Sequence, residues 1–155
     1  MSISLNTIVT GMNGGPEAIM QNFNNVKNEL DRMNGSIVDI PKEQFTPING
    51  LTVDSNSCYC RIYKFNNFAI ITAGAAVGSV TMKSWTFKEA VTIPKSYLDG
   101  FSKFQRFKDT RQITDDGWLY DANFDVTKGL LTLYTRGNEY NNKSLGLDVA
   151  GILYN

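Results

Sequence analysis

Histidine is absent from the 155-residue chain, and cysteine occurs only twice. The first absence removes the commonest general base and the commonest zinc ligand together. Charge of one sign is also missing: 15 basic residues balance 15 acidic ones, so no net field draws the chain to nucleic acid or anionic lipid. No apolar run approaches membrane-spanning length. The opening "MSISLNTIVTG" has neither a basic start nor an apolar centre, so neither a secretion signal nor membrane insertion is expected. GxSxG, HExxH, P-loop and paired CxxC patterns are all missing, and no cofactor or metal site is expected.

Cys58 and Cys60 stand two apart in a strand-like stretch, so both point to one face. A disulfide between such neighbours strains strand geometry, and no further Cys or His completes a metal set. Two buried free thiols are expected, as suits a protein made in a reducing cytoplasm.

What is present is Asn, Gly and aromatic residues, with charged residues at only 19%, the profile of a turn-rich β protein. Ahead of it stands one helical stretch. "GMNGGPEAI" puts Pro16 at a first helical position and Glu17 at the positive end of the dipole, and Asn34–Gly35 supplies a left-handed stop. Between them Ile19, Phe23, Val26, Leu30 and Met33 form a heptad seam, with Ile19, Val26 and Met33 at d and Phe23 and Leu30 at a. The seam can pack on the chain's own β domain or on copies of itself. Its narrowness and the β-branched residues at d favour self-association, trimer ahead of tetramer.

After Gly35 the period changes to two. "CYCRIYKF" (58–65) and "NFAIITAG" (67–74) flank a tight turn at Asn66–Asn67. Further strands are expected over 77–82, 85–93, 117–126, 129–135 and 145–154, with a hairpin at Lys128–Gly129 and short edges in "SIVDI" and "GLTV". Residues 94–117 read as a long connection. The expectation is a mainly β chain: a short N-terminal α-helix (1–34), then an antiparallel β-sandwich or barrel head (35–155).

"VTGMNGGPEAI" resembles the N-terminal shoulder of receptor-binding and baseplate proteins from siphophages of lactic-acid and related Gram-positive bacteria. The remainder resembles the head domains of such tail proteins, through "YCRIYKFNNFAIITAGAAV", "WTFKEAVTIPKSYLDG", "TKGLLTLYTRG" and the terminal "LDVAGILYN". The resemblance implies a homotrimer at a phage tail tip. Its helical shoulder docks on another baseplate protein, and its β head binds saccharide of the host cell wall. It also implies assembly in the host cytoplasm and residence in the virion. A shortened neck, "SIVDIPKEQFTPINGLTV", leaves a second expectation, a structural baseplate accessory without sugar binding of its own.

The saccharide residues of such heads share no fixed motif, so candidates come from chemistry: aromatic faces for a pyranose, with carboxylates, amides or Arg for its hydroxyls. The densest such cluster is "TRQITDDGWLYDANFD", with Arg111, Asp115, Asp116, Trp118, Tyr120, Asp121 and Asn123; Tyr140 in the polar loop 136–143 joins it. Trp118 and Tyr120 share one strand face and Asp121 takes the other. The plainer reading makes Asp115–Asp116–Gly117 a turn and Trp118 a core residue. Trp85 is read as core. Asp115, Asp116, Asp121 and Asp125 lie close enough in sequence for a glycosidase pair, but aspartate is also the commonest turn residue, and the chain is expected not to be an enzyme.

Overall fold

The computed structural model describes residues 15–33, 35–107, 111–113 and 119–155, with side chains for all of these except 15, 16, 18, 27, 29–33 and 111–113. The chain divides into two compact units, Met1–Ser36 and Ile37–Asn155.

The first unit contains helix α1, Gly15–Met33, 19 residues long with Glu17 in its first turn. Ile19 and Phe23 of the seam are exposed at 44% and 70%, and Val26 is half-buried. The side chains of Leu30 and Met33, and the stop at Asn34, lie outside the described residues. No described helix is long and apolar enough to cross a membrane.

The second unit is mainly β, with two antiparallel five-stranded sheets. Its strands are β1 (Ser36–Asp39), β2 (Thr46–Pro47), β3 (Thr52–Lys64), β4 (Ala69–Met82), β5 (Phe87–Thr92), β6 (Lys103–Arg106), β7 (Arg111–Ile113), β8 (Leu119–Asp125), β9 (Leu130–Thr135) and β10 (Tyr140–Tyr154). One sheet runs β1-β3-β4-β10-β6, the other β2-β5-β9-β8-β7. All four outer strands are four residues or fewer, and Pro47 sits on one of them, where its missing N–H breaks no inner ladder. Short edges leave little template for pairing with another chain.

The alternation read from the sequence puts Cys58, Cys60 and Ile62 of β3 inside, opposite Ile71 and Ala73 of β4. Both thiols are free and buried. From the other sheet Val91, Ala122, Phe124, Leu131 and Leu133 enter the same core. Small residues on β4 (Ala69, Ala73, Ala75) leave room for the large ones facing them. Two tyrosines tie the sheets together. Tyr120 of β8 donates to the Gly146 carbonyl of β10 at 2.7 Å, and Tyr140 of β10 donates to the Leu119 carbonyl of β8 at 3.1 Å. Their rings meet edge to face, 6.3 Å between centroids.

Strands expected as separate pieces are continuous. β4 runs through "AGAAVG", and β10 begins at Tyr140, inside the stretch expected to be a polar loop. Inward-facing parity changes along both. On β4 it passes from Val77 to Val80 across Ser79, and on β10 from Tyr140 to Leu145 across Asn142. Ser79 and Asn142 have φ of 60° and 49°, the left-handed backbone that lets one residue drop out of the alternation. The long connection 94–117 carries a 3-10 turn at Lys95–Leu98 and the edge strands β6 and β7.

Both expected hairpin turns form. Phe65 N–H bonds the Phe68 carbonyl at 2.8 Å around Asn66–Asn67, and the two phenyl rings stack at 4.7 Å. Between β8 and β9, Asp125 Oδ1 accepts from the backbone N–H of Thr127 (3.0 Å) and Lys128 (3.3 Å), and Gly129 takes φ 64°. A Cβ at Gly129 would meet the Ile93 carbonyl at 2.5 Å, so the position excludes side chains on two counts.

Candidate functional site

The outward faces of the two sheets differ. On the first sheet polar groups answer one another. Arg61 forks onto both oxygens of Asp39 at 2.6 and 2.9 Å. The Tyr59 hydroxyl reaches across Gly74 to donate to Asp148 Oδ1 at 2.8 Å. Gly74 is required there, since a Cβ would strike the Tyr59 ring. Desolvation, then the Asp148 bond, pushes the Tyr59 phenol up to about 12.

On the second sheet, strand register lays out three outward rows. Phe87, Tyr134 and Asp121 form the first, Glu89, Thr132 and Asn123 the second, and Thr92, Leu130 and Asp125 the third. A groove of ≈ 380 Å³ runs over these rows to the open edge of β8, where Ser102 and Phe104 close it. Leu130 and Thr132, on the outward side of β9, are buried and line the groove. Phe87, 59% exposed, is one wall. The other carries Lys128, whose Nζ donates to Glu89 Oε1 at 3.1 Å. The Asp125 carboxyl is held below its usual range, first by the Thr127 hydroxyl (2.7 Å) and then by backbone N–H groups, so it is ionised at neutral pH.

Beyond Phe87 the face continues with Trp85, 62% exposed, its ring 6.4 Å from that of Tyr134 at 58°. The expectation that Trp85 is core is therefore corrected. It precedes β5 in a left-handed conformation, φ 58°, which turns the indole outward; a bulky residue there costs backbone energy. At the end of the first row, Arg136 Nε donates to Asp121 Oδ2 at 2.6 Å. Asp121 is 7% exposed, and its Oδ1 is buried without a hydrogen-bond partner.

The residues named from sequence are dispersed. Tyr120 and Tyr140 are core residues, 4% and 1% exposed, with both hydroxyls on backbone carbonyls, so neither offers a ring face to a ligand. Burial pushes the Tyr120 phenol up to about 12. Asp121 takes the opposite face from Tyr120, at the margin of the outward rows, and Arg111 of β7 is its register partner. The side chain of Arg111, and all of Asp115, Asp116 and Trp118, lie outside the described residues. Asn123, named with that cluster, stands in the second outward row; Phe87, Glu89 and Lys128 were missed. Their signal was the alternation Trp85, Phe87, Glu89 within "WTFKE", which reads equally as a core-facing strand until the partner sheet is known.

Chemically the face combines exposed ring surfaces, amide and hydroxyl groups, and carboxylates whose cationic partners are already engaged. That composition suits a neutral polyhydroxylated ligand. Among the described residues no group of His, Cys, Asp or Glu is placed to hold a metal.

No protein-family model matches the chain, and no curated protein matches it in sequence. Among solved structures it is similar to the receptor binding protein (gp15) of Listeria phage PSA, at 17% identity and a TM-score of 0.52. The match covers 95% of this chain and 83% of that one, and at such identity it establishes a shared fold.

Proposed function

We propose that this chain is a phage tail-tip receptor-binding protein whose β head attaches the virion to host cell-wall saccharide. The observation that carries the reading is a fold shared with a phage receptor binding protein over 95% of the chain. The aromatic and polar outward face of the second sheet gives the head a surface with the composition sugar recognition needs.

In this reading α1 is the trimerisation element and residues 1–34 dock on another tail protein. A helix of 19 residues is marginal alone in water, and Ile19 and Phe23 present apolar surface that a helical bundle would bury. Three heads on one particle convert modest sugar affinity into avidity, a gain of about 10²–10⁴ without new contacts. The head binds and does not hydrolyse, and neither nucleic acid nor membrane is a partner. The protein assembles in the host cytoplasm and works in the virion tail.

The test is co-sedimentation of the full chain with a panel of purified Gram-positive cell walls, with free wall polysaccharide as competitor. Retention on at least one wall, competed by its own polysaccharide, supports the reading. Retention on none, with tight docking to another tail protein, makes the chain a structural accessory. Release of reducing ends from a bound wall would make it an enzyme.

A further inference from the structure

We propose that the outward face of the second sheet binds a run of two or more sugar units of a neutral wall polysaccharide, not a single terminal sugar. This rests on the saccharide reading above and adds the length and charge of the ligand.

Leu130 and Tyr134 mark the two ends of the outward rows on β9, and four residues of extended strand span about 13 Å. Trp85 lies beyond Tyr134 and lengthens the strip further. A hexose ring is about the size of a phenyl ring, so the strip is longer than one sugar can cover. Rings and hydrogen-bonding groups are also distributed along it. Trp85 and Phe87 stand at one end, and Glu89, Asn123 and Lys128 line the groove toward the other. A single sugar stacked on Phe87 leaves Trp85 in water. A chain of sugars can place one ring on each.

Three further observations point to a ligand. Trp85 is largely exposed on a turn that Thr86 and the buried Thr135 fix through hydrogen bonds to the Lys83 carbonyl, so the indole is presented by ordered backbone. Leu130 and Thr132 share the outward side of β9 with Tyr134, yet both are buried and line this groove, so a cleft exists and not merely a patch. Asp121, at the end of the Phe87–Tyr134 row, is more than nine-tenths buried, and its Oδ1 has no hydrogen-bond partner among the described residues. Charge narrows the ligand class. Glu89 and Asp121 already engage Lys128 and Arg136, and Asp125 adds a further negative charge. Among the described side chains of these rows a phosphate-rich polyanion would meet carboxylates and bases already paired with them; a neutral polyhydroxylated chain meets acceptors and amides.

The experiment is calorimetric titration of the full chain with neutral polysaccharide released from a wall that retains it, cut by mild acid and sized into fragments of one, two, three and four units. The proposal expects affinity to rise at least tenfold from one unit to three and then to level off. Trp85→Ala removes that rise while leaving the shortest fragment unaffected, and Phe87→Ala weakens every fragment; both variants keep the parent's melting temperature because both side chains are exposed. Equal affinity for one unit and three overturns the proposal and leaves the saccharide reading standing. Binding by poly(glycerol phosphate) in preference to the neutral fragments overturns it as well. If neither fragments nor intact wall bind, both readings fall. If Trp85→Ala changes native mass and not sugar binding, the face is a contact between copies and the proposal is wrong.

Discussion

Tyr120 and Phe87 look alike in sequence, each an aromatic in a polar-flanked strand, and they do opposite work. Tyr120 spends its hydroxyl on the Gly146 carbonyl across the sandwich. Tyr120→Phe should cost roughly 1 kcal/mol in denaturant unfolding, the net worth of one such bond, and leave wall binding unchanged. The buried groups also set an alkaline limit. Burial raises the Cys60 thiol from 9.0 to about 12, and the Tyr120 phenol from 10.0 to about 12. A raised pKa in the folded chain means the contribution is complete below the unfolded value and is lost as pH climbs through the folded one. Melting temperature should therefore hold up to about pH 9 and fall between pH 9 and 12; a flat profile there would mean that these groups are not sheltered. What sequence could tell at this scale was parity, which placed Cys58 and Cys60 inside together. It could not tell which side of a strand would meet the partner sheet, so it set Tyr120 on the exposed side, where the structure sets Phe87.

At the scale of elements, turn chemistry was the most legible feature. Asn66–Asn67 and Lys128–Gly129 both close hairpins because each supplies what a turn demands locally. Gly129→Ala should destabilise the chain by roughly 1–3 kcal/mol, the cost of forcing a side chain into left-handed backbone, with added strain from the Ile93 carbonyl. Thermal unfolding would show it; an unchanged midpoint would mean that the turn relaxes freely. Strand ends were less legible. "AGAAVG" has poor intrinsic strand preference, yet β4 passes through it because Ala73 and Val77 are paired on both sides by β3 and β10, and Ala75 by β10. The bulges at Ser79 and Asn142 hide the period by reversing it midway. The heptad seam of α1 was plain from spacing, and its purpose is a matter for experiment. Phe23→Asp places a charge on the exposed seam, and light scattering should report a trimer for the full parent chain and its loss in the variant. A parent that is already monomeric would remove the helix from the account of avidity.

As a whole, the molecule pairs a helix bearing exposed apolar surface with a sandwich whose two outward faces are unequal. The first sheet's face ties its polar groups to one another, at Arg61–Asp39 and Tyr59–Asp148. The second sheet's face leaves ring surfaces in water beside a groove. The general architecture followed from period and turn spacing. The site did not, because it is made by three strands, β5, β9 and β8, brought side by side from 87–92, 130–135 and 119–125. The inequality of the faces supplies its own control: equilibrium binding of Phe87→Ala and Tyr59→Ala to the same purified wall. Stacking a sugar on Phe87 removes apolar surface from water, about 1.5–3 kcal/mol for a side chain covered in full, so Phe87→Ala should bind about tenfold to a hundredfold more weakly. Tyr59→Ala should bind as the parent does. Undiminished binding by Phe87→Ala, with loss in Tyr59→Ala, would move the site to the other face of the sandwich and contradict the account.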